Sequence, residues 1–341
     1  PSNRFYMMES NGLSIGTPSR FKPFCSHHVP DCGHCAMPRI SIIIPHFENV
    51  DLLESTLISV LENRPNGCEI IVLQSGNYSD PYQLEDEVQF VTAAEPDVQP
   101  AAQGLNRLHL PSSLSEVLAN IHSPIIHLLQ PGCIVESGWT DGITDQFEDP
   151  FVGSVAPMLL KQDGRVYCNG IENSAFYKTR LLRNGKPGDQ WNAAIPDPLG
   201  PSQLAAFYRT DALKQLDCLA KLGRTSFALE IALALEAIGF ESNHAEDSII
   251  RIDEQKDDFK NQGSDAQAAI WRFVGSISFW QGLCWASAAL VSDLISSTVF
   301  PKSRSSFFGR LSRFWNWDAA KSFRDDIQQA DGPKPLCIAA S

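Results

Sequence analysis

The chain of 341 residues lacks an excess of basic side chains: 27 Lys and Arg face 40 Asp and Glu, a net charge of -13. Binding to a phosphate backbone needs a cationic surface, so a mainly nucleic-acid-binding role is excluded. Cysteine is sparse and scattered, nine residues in all. That is too few for a disulfide scaffold of this length, and a reducing compartment is expected. The first forty residues hold no apolar run long enough for a secretory leader. No methionine opens the chain, so sequence upstream is expected. The most apolar stretch, 266 to 300, is interrupted by Arg272, Gln281 and Asp293; it leaves no clean span of ~20 apolar residues, against a membrane-spanning helix. No G-x-G-x-x-G follows the first apolar run, so a dinucleotide domain of the NAD type has no support. Cys68, Cys133, Cys168, Cys218 and Cys284 stand without an adjacent His or Asp and read as core filling, not as nucleophiles. What is present, 43% hydrophobic and 20% charged residues, is the composition of a soluble globular protein able to bury a sizeable core.

Residues 1–38 are rich in Ser, Pro, Asn and Gly without a sustained period, and read as an extended arm. The arm carries C-S-H-H-V-P-D-C-G-H-C. Cys25, His27, Cys32 and Cys35 would suffice for a tetrahedral zinc site, with Cys32 and Cys35 at the spacing of a ligand knuckle. A reduced cluster without metal is the other reading, since the second half of a full zinc motif is missing.

From Arg39 the pattern changes to alternating strands and helices. R-I-S-I-I-I-P (39–45), E-I-I-V-L (69–73), Val88 to Val91 and Pro124 to Leu129 are short apolar runs, as buried strands of a parallel sheet require. Apolar residues at 52, 53, 57, 58, 60 and 61 have helical spacing, with Asn49 or Asp51 as N-cap. Ser113 to Ile121 predicts a second helix. Strands alternating with helices mean βαβ units with right-handed crossovers. Ligands in such sheets bind beyond the carboxyl ends of the strands, which directs attention to Pro45, His46 and Glu48, to Gln74, Gly76 and Asp80, and to Gln130 and Gly132. His46 is weighed as a ligand contact, Glu48 as a solvated loop carboxylate, and Asp80 as either a helix cap or a ribose ligand. His127 reads as a hydrogen-bonded core residue, and Asp163-Gly164 as a hairpin turn.

The order of these segments resembles family 2 glycosyltransferases. I-S-I-I-I-P-H-F-E-N before a helix is similar to their opening, and E-I-I-V-L-Q-S-G-N-Y-S-D to their second strand and uracil-contacting loop. S-P-I-I-H-L-L-Q-P-G-C-I-V-E-S-G-W (123–139) is similar to their central nucleotide-sugar turn. Residues 151–171 look like a segment common in bacterial members, and Glu230 to Phe240 like the helix after the acidic catalytic stretch. The resemblance spans roughly 39–255. It implies a GT-A nucleotide-diphospho-sugar transferase fold, α/β and Rossmann-like with a mixed, mostly parallel sheet. It also implies inverting hexosyl transfer from a UDP- or GDP-sugar to a glycan or lipid-linked acceptor, in polysaccharide or glycoconjugate assembly.

The departures concern chemistry. Gln74 stands where the family has an Asp against the base, and an amide still hydrogen-bonds a uracil edge. Gln130 and Gly132 stand where two carboxylates would hold Mg or Mn, and one amide oxygen does not replace them. Phe227, Ala228, Leu229 and Glu230 match the acidic stretch that supplies the general base, leaving Glu230 as the retained carboxylate. Arg251 lies about where a histidine serves metal or diphosphate. Two readings stand: transfer without metal, with Arg251, Lys161 or Arg165 neutralising the diphosphate, or a fold that has become a binding or scaffolding partner of an active transferase.

Residues 253–265 are charged and polar, a boundary; 256–341 form an amphipathic helical tail. Residues 302–324 hold six Lys or Arg against one Asp, interleaved with Phe307, Phe308, Phe314, Trp315 and Trp317. That mixture suits an anionic membrane surface, and equally a helix pair packed on the main domain or on a second copy. The expected location is cytoplasmic, with peripheral attachment at the inner membrane face.

Overall fold

The computed structural model describes residues 39–46, 49–74, 80–92, 110–174, 178–182, 185–186, 196–217, 219, 222 and 227–253, with scattered positions from 287 to 332. The chain divides into two compact units, 1–36 and 37–341, and every described residue belongs to the second. The arm, with Cys25, His27, Cys32 and Cys35, and the basic aromatic stretch 302–324 lie outside the described residues.

Four strands run in parallel: β1 (Ile40–His46), β2 (Cys68–Gln74), β3 (Gln89–Thr92) and β4 (Ile125–Leu129). Helix α1 (Val50–Glu62) joins the first pair, and α2 (Leu110–Leu118) precedes β4. The sequence reads as apolar runs here because both faces of the sheet are covered. Ile40, Ile42 and Ile44 enter one core with Leu53 and Leu57 of α1, while Ile43 enters the other with Leu114 and Val117 of α2. Asn49 is the cap of α1: its side chain accepts from Leu52 N at 3.2 Å, satisfying one of the free amides of the first turn.

Beyond β4 follow β5 (Cys133–Val135), α3 (Ile143–Gln146), β6 (Val152–Lys161), β7 (Val166–Cys168), the hairpin β8 (Ile171–Ser174) with β9 (Lys178–Leu181), β10 (Ala205–Arg209), α4 (Thr210–Lys214), α5 (Phe227–Ala237) and β11 (Glu241–Ile252). The main sheet has the order β3-β2-β1-β4-β10-β6-β11-β5, with β7 also paired to β6. β10 runs antiparallel between β4 and β6, so β6 and the parallel β11 again point the way of β1 to β4. Six strand tips therefore share one edge. The hairpin expected at Asp163-Gly164 is present: Gly164 has φ +78 and its amide donates to Lys161 O at 2.9 Å.

A buried guanidinium fastens the opposite edge. Arg209, 1% exposed, donates from Nε to Val152 O at 2.8 Å and from Nη2 to the Phe147 and Asp149 carbonyls at 2.7 and 2.6 Å. It closes the loop between α3 and β6. His127 is a core residue, as its place inside β4 suggested, but not the hydrogen-bonded one expected: neither ring nitrogen has a hydrogen-bond partner among the described residues. Its ring stacks on Phe207 and Trp139 at centroid distances of 3.9 and 4.9 Å. Full burial pulls its pKa down to about 3, opposed only in part by the Ala206 backbone, so the ring is neutral at physiological pH.

Candidate functional site

The parallel register sets the tips side by side. His46 is the partner of Gln74, and Gln74 of Thr92. The β1–β4 ladder ends at the pair Ile43 and Leu128; carried two residues further, that register brings Pro45 level with Gln130. Pro45 has no amide hydrogen to offer a neighbour, which suits the end of a ladder. His46 is 6% exposed, and burial lowers its pKa, so it stands at the cleft edge as a neutral imidazole. Gln74 donates from Nε2 to Thr92 Oγ1 at 3.4 Å, and its Oε1 is buried with no hydrogen-bond partner among the described residues. That oxygen can accept from an imide N–H such as the one on a uracil edge.

The central turn is built from backbone. Cys133 N donates to Gln130 O at 3.2 Å, and Gly132 has φ +88. Pro at the second position and Gly at the third of such a turn give a type II geometry. The Gly132 amide donates to Thr56 Oγ1 at 2.9 Å and to Leu52 O at 3.2 Å, and its carbonyl accepts from Asp253 N at 2.9 Å. Gly132 is thus committed to α1 and to the end of β11. Gln130 is 9% exposed, and its backbone N–H is bonded to Leu204 O at 2.8 Å. The only functional side chain of the triplet is one amide, a donor set that does not fit a hard divalent cation. Among the described residues no group of three His, Cys, Asp or Glu is arranged to hold a metal.

Charged candidates are each engaged elsewhere. Arg251 sits on β11 opposite Ile134 of β5, just past the turn, and its Nε is ion-paired with Glu136. Asp80 serves as a cap: Oδ1 accepts from Tyr82 N at 3.0 Å and Oδ2 from Leu84 N. Glu230 is 1% exposed inside α5, where every residue from Phe227 to Leu235 is buried. Lys161 lies over the Tyr167 ring at 5.8 Å, and Arg165 pairs with Asp163 at 3.7 Å. The structure brings Pro45, His46, Gln74, Gln130 and Gly132 to one edge; Glu48 and Gly76 lie outside the described residues.

Sequence reasoning missed Thr92, which shares the amide of Gln74, and Glu136, which holds Arg251. It also missed Asn169, fully buried with neither Nδ2 nor Oδ1 bonded among the described residues. The signal for Asn169 was an amide inside the apolar run V-Y-C-N-G-I. For Thr92 and Glu136 no local signal exists, because their partners are 18 and 115 positions away.

No protein-family model matches the chain, and no curated protein sequence does. Solved structures do. The chain is similar to GalNAc-T7, determined with UDP, GalNAc and Mn2+, at 13% identity and a TM-score of 0.51, over 86% of this chain and 58% of that one. It is also aligned with the mannosyltransferase PcManGT from Pyrobaculum calidifontis, determined with GDP-Man and Mn2+, at 13% identity and a TM-score of 0.46, over 90% and 89% of the two chains. The fold is that of GT-A glycosyltransferases: mixed α/β with a mostly parallel sheet.

Proposed function

We propose that this chain binds a nucleotide sugar at the tips of β1, β2 and β4, as a family 2-like glycosyltransferase of polysaccharide or glycoconjugate assembly, and that it does so without a divalent cation. The observation that supports the reading is the central turn: Gln130-Pro131-Gly132, at the place where the resemblance expects a carboxylate pair, is strapped to the protein by its own backbone. Gln74 accepts from the imide N–H of a uracil or guanine through Oε1. His46, neutral, borders the ribose side without adding charge near the diphosphate. Arg251, beside the turn, supplies positive charge that a metal would otherwise provide, once it exchanges Glu136 for the diphosphate.

A second reading is favoured by one observation. Glu230, the one carboxylate retained in the stretch that resembles the family's acidic catalytic segment, is 1% exposed, and a base must reach the acceptor proton directly or through one water. In that reading the domain is a catalytically inactive partner of an active transferase. Lys and Arg at 302–324 attach the chain to an anionic inner membrane face in either case. No helix among the described residues is long and apolar enough to cross a membrane.

The test is thermal unfolding with UDP, GDP and their sugars, with and without manganese. A ligand at about a hundred times its Kd stabilises by about 2.7 kcal/mol. Stabilisation that does not change with manganese is expected; stabilisation that requires manganese refutes the metal-free reading. Stabilisation without turnover on offered acceptors supports the partner reading.

A further inference from the structure

We propose that the tip of the β6–β7 hairpin, with Lys161, Arg165 and the neighbouring Lys186, receives a phosphate or carboxylate carried by the acceptor. The inference rests on the nucleotide-sugar reading and gives its second substrate a charge. The first observation is a local reversal of charge. Residues 161–186 hold six Lys or Arg against two Asp or Glu, in a chain where acids outnumber bases 40 to 27. Backbone hydrogen bonds bring three of the six together. Lys161 N donates to Arg165 O at 2.8 Å, closing the hairpin, and Val166 N donates to Lys186 O at 2.9 Å. Gly185 N donates in turn to Val166 O at 2.8 Å, so segment 185–186 is fixed beside the hairpin. The tip is open to solvent: the Arg165 side chain is 66% exposed, Lys186 is exposed and Lys161 is half-buried.

The second observation is where this tip lies. Lys161 ends β6 at the edge that also carries the tips of β1 to β4. Ile252 of β11 is paired with Lys161 on one side and with Cys133 on the other. Two strand spacings, about 10 Å, therefore separate Lys161 from the first residue after the central turn. Gln162 Nε2 donates to Asp253 Oδ1 at 2.6 Å, and Asp253 N to Gly132 O at 2.9 Å, which ties the tip to the turn itself. β1 and β2 lie on the other side of β4. Lys161 and Arg165, weighed above for the donor diphosphate, thus flank the cleft on the side away from Gln74.

The local acids offset these cations only in part. Asp163 Oδ1 accepts from Arg165 N at 3.0 Å, and its Oδ2 lies 3.7 Å from Arg165 Nε, beyond a hydrogen bond. Asp253 accepts from Gln162, and Arg251 is paired with Glu136. The Lys161 ammonium is held 5.8 Å above the Tyr167 ring, which positions a cation without neutralising it. Three cations against the two carboxylates of Asp163 and Asp253 leave a positive surface beside the cleft of an acidic protein. A guanidinium between ammonium groups suits an oxyanion. A neutral acceptor gains nothing from such a surface, whereas an anionic one is drawn to it.

A phosphate on a lipid and a carboxylate on a sugar share this chemistry, and the two arms of one experiment separate them. The full chain, saturated with UDP or GDP, is titrated with geranyl phosphate against geraniol, and with methyl β-glucuronide against methyl β-glucoside. Wild type binds one anion more tightly than its neutral counterpart, and the arm in which it does so names the source. In the triple variant Lys161→Gln, Arg165→Gln, Lys186→Gln that affinity falls about tenfold, and in Lys186→Gln alone about twofold, as partly exposed ion pairs imply. Nucleotide affinity and Tm stay as in wild type, since none of the three side chains is buried. Equal affinity of wild type for anion and neutral counterpart overturns the proposal and leaves the nucleotide-sugar reading intact, as does an anion affinity that wild type and both variants share. Nucleotide affinity that falls in the triple variant also overturns it, because the cations then serve the donor. So does a triple variant that loses only its binding to phosphatidylserine vesicles, which assigns the patch to a membrane. A wild type that binds neither nucleotide overturns the nucleotide-sugar reading and this proposal together.

Discussion

Replacing His127 with Phe should flatten the acid side of the stability profile. The imidazole lies inside β4 with no solvent exposure, and burial holds its pKa at about 3, against about 6.5 in an unfolded chain. The depressed value fixes the sign. Below about pH 6.5 the unfolded chain takes up a proton that the folded protein refuses, so acid favours unfolding, and the contribution is intact only above that pH. Over the window from about pH 6.5 down to about 3 the slope is about 1.4 kcal/mol per pH unit. Between about pH 7 and pH 5 this single site therefore costs wild type about 2 kcal/mol. Phenylalanine retains the aromatic stack with Trp139 and Phe207 and has nothing to titrate, while the carboxylates titrate alike in both proteins. Urea unfolding at several pH values reads the difference directly. The gap between His127→Phe and wild type should shift in favour of the variant by about 2 kcal/mol between about pH 7 and pH 5. Curves that stay parallel would show that the imidazole is protonated in the folded protein and that the burial argument is wrong.

Three further outcomes follow from particular contacts. Arg209→Met removes three hydrogen bonds to the Phe147, Asp149 and Val152 carbonyls and strands those of the buried Phe147 and Val152; a loss of about 3–5 kcal/mol is expected by denaturant titration, in the range for breaking a buried charged network, and a loss below about 1 kcal/mol would contradict it. Gly200→Ala places a methyl 2.4 Å from Ala232 Cβ, so α5 must move; about 1–3 kcal/mol of destabilisation is expected, read as a fall in Tm, and no fall would mean that the strap and helix do not touch as described. Burial pushes the Cys133 and Cys168 thiols up to about 12 and about 11, so neither should react with iodoacetamide at neutral pH until the protein is unfolded; mass spectrometry showing native alkylation at either would refute their burial.

Much of the first half of the fold was legible because parallel strands covered on both faces read as unbroken apolar runs. β1, β2, β3 and β4 each fall within a residue or two of the runs seen in the sequence. Helix α2 begins at Leu110, earlier than Ser113. β11 escaped notice: E-S-N-H-A-E-D-S-I-I-R-I alternates poorly and is broken by an irregularity between Ala245 and Ile249. β10 also escaped notice, and nothing local reveals that it runs antiparallel between β4 and β6.

By itself the sequence determined which chemistry is available at the strand tips, because an amide at 74 and at 130 and a glycine at 132 remain so in any fold. It also determined the layered α/β plan, through runs and periods that only covered strands and helices satisfy. The tertiary structure alone decided which of those groups are committed. Gly132 turns out to be bound to Thr56 and Leu52, Arg251 to Glu136, and Asp80 to its own loop. It also left the amide of Asn169 buried, with neither atom hydrogen-bonded among the described residues. The reason is distance along the chain: a hydrogen bond between positions 76 or 115 residues apart exists only after the sheet has brought them together, and no local pattern encodes it.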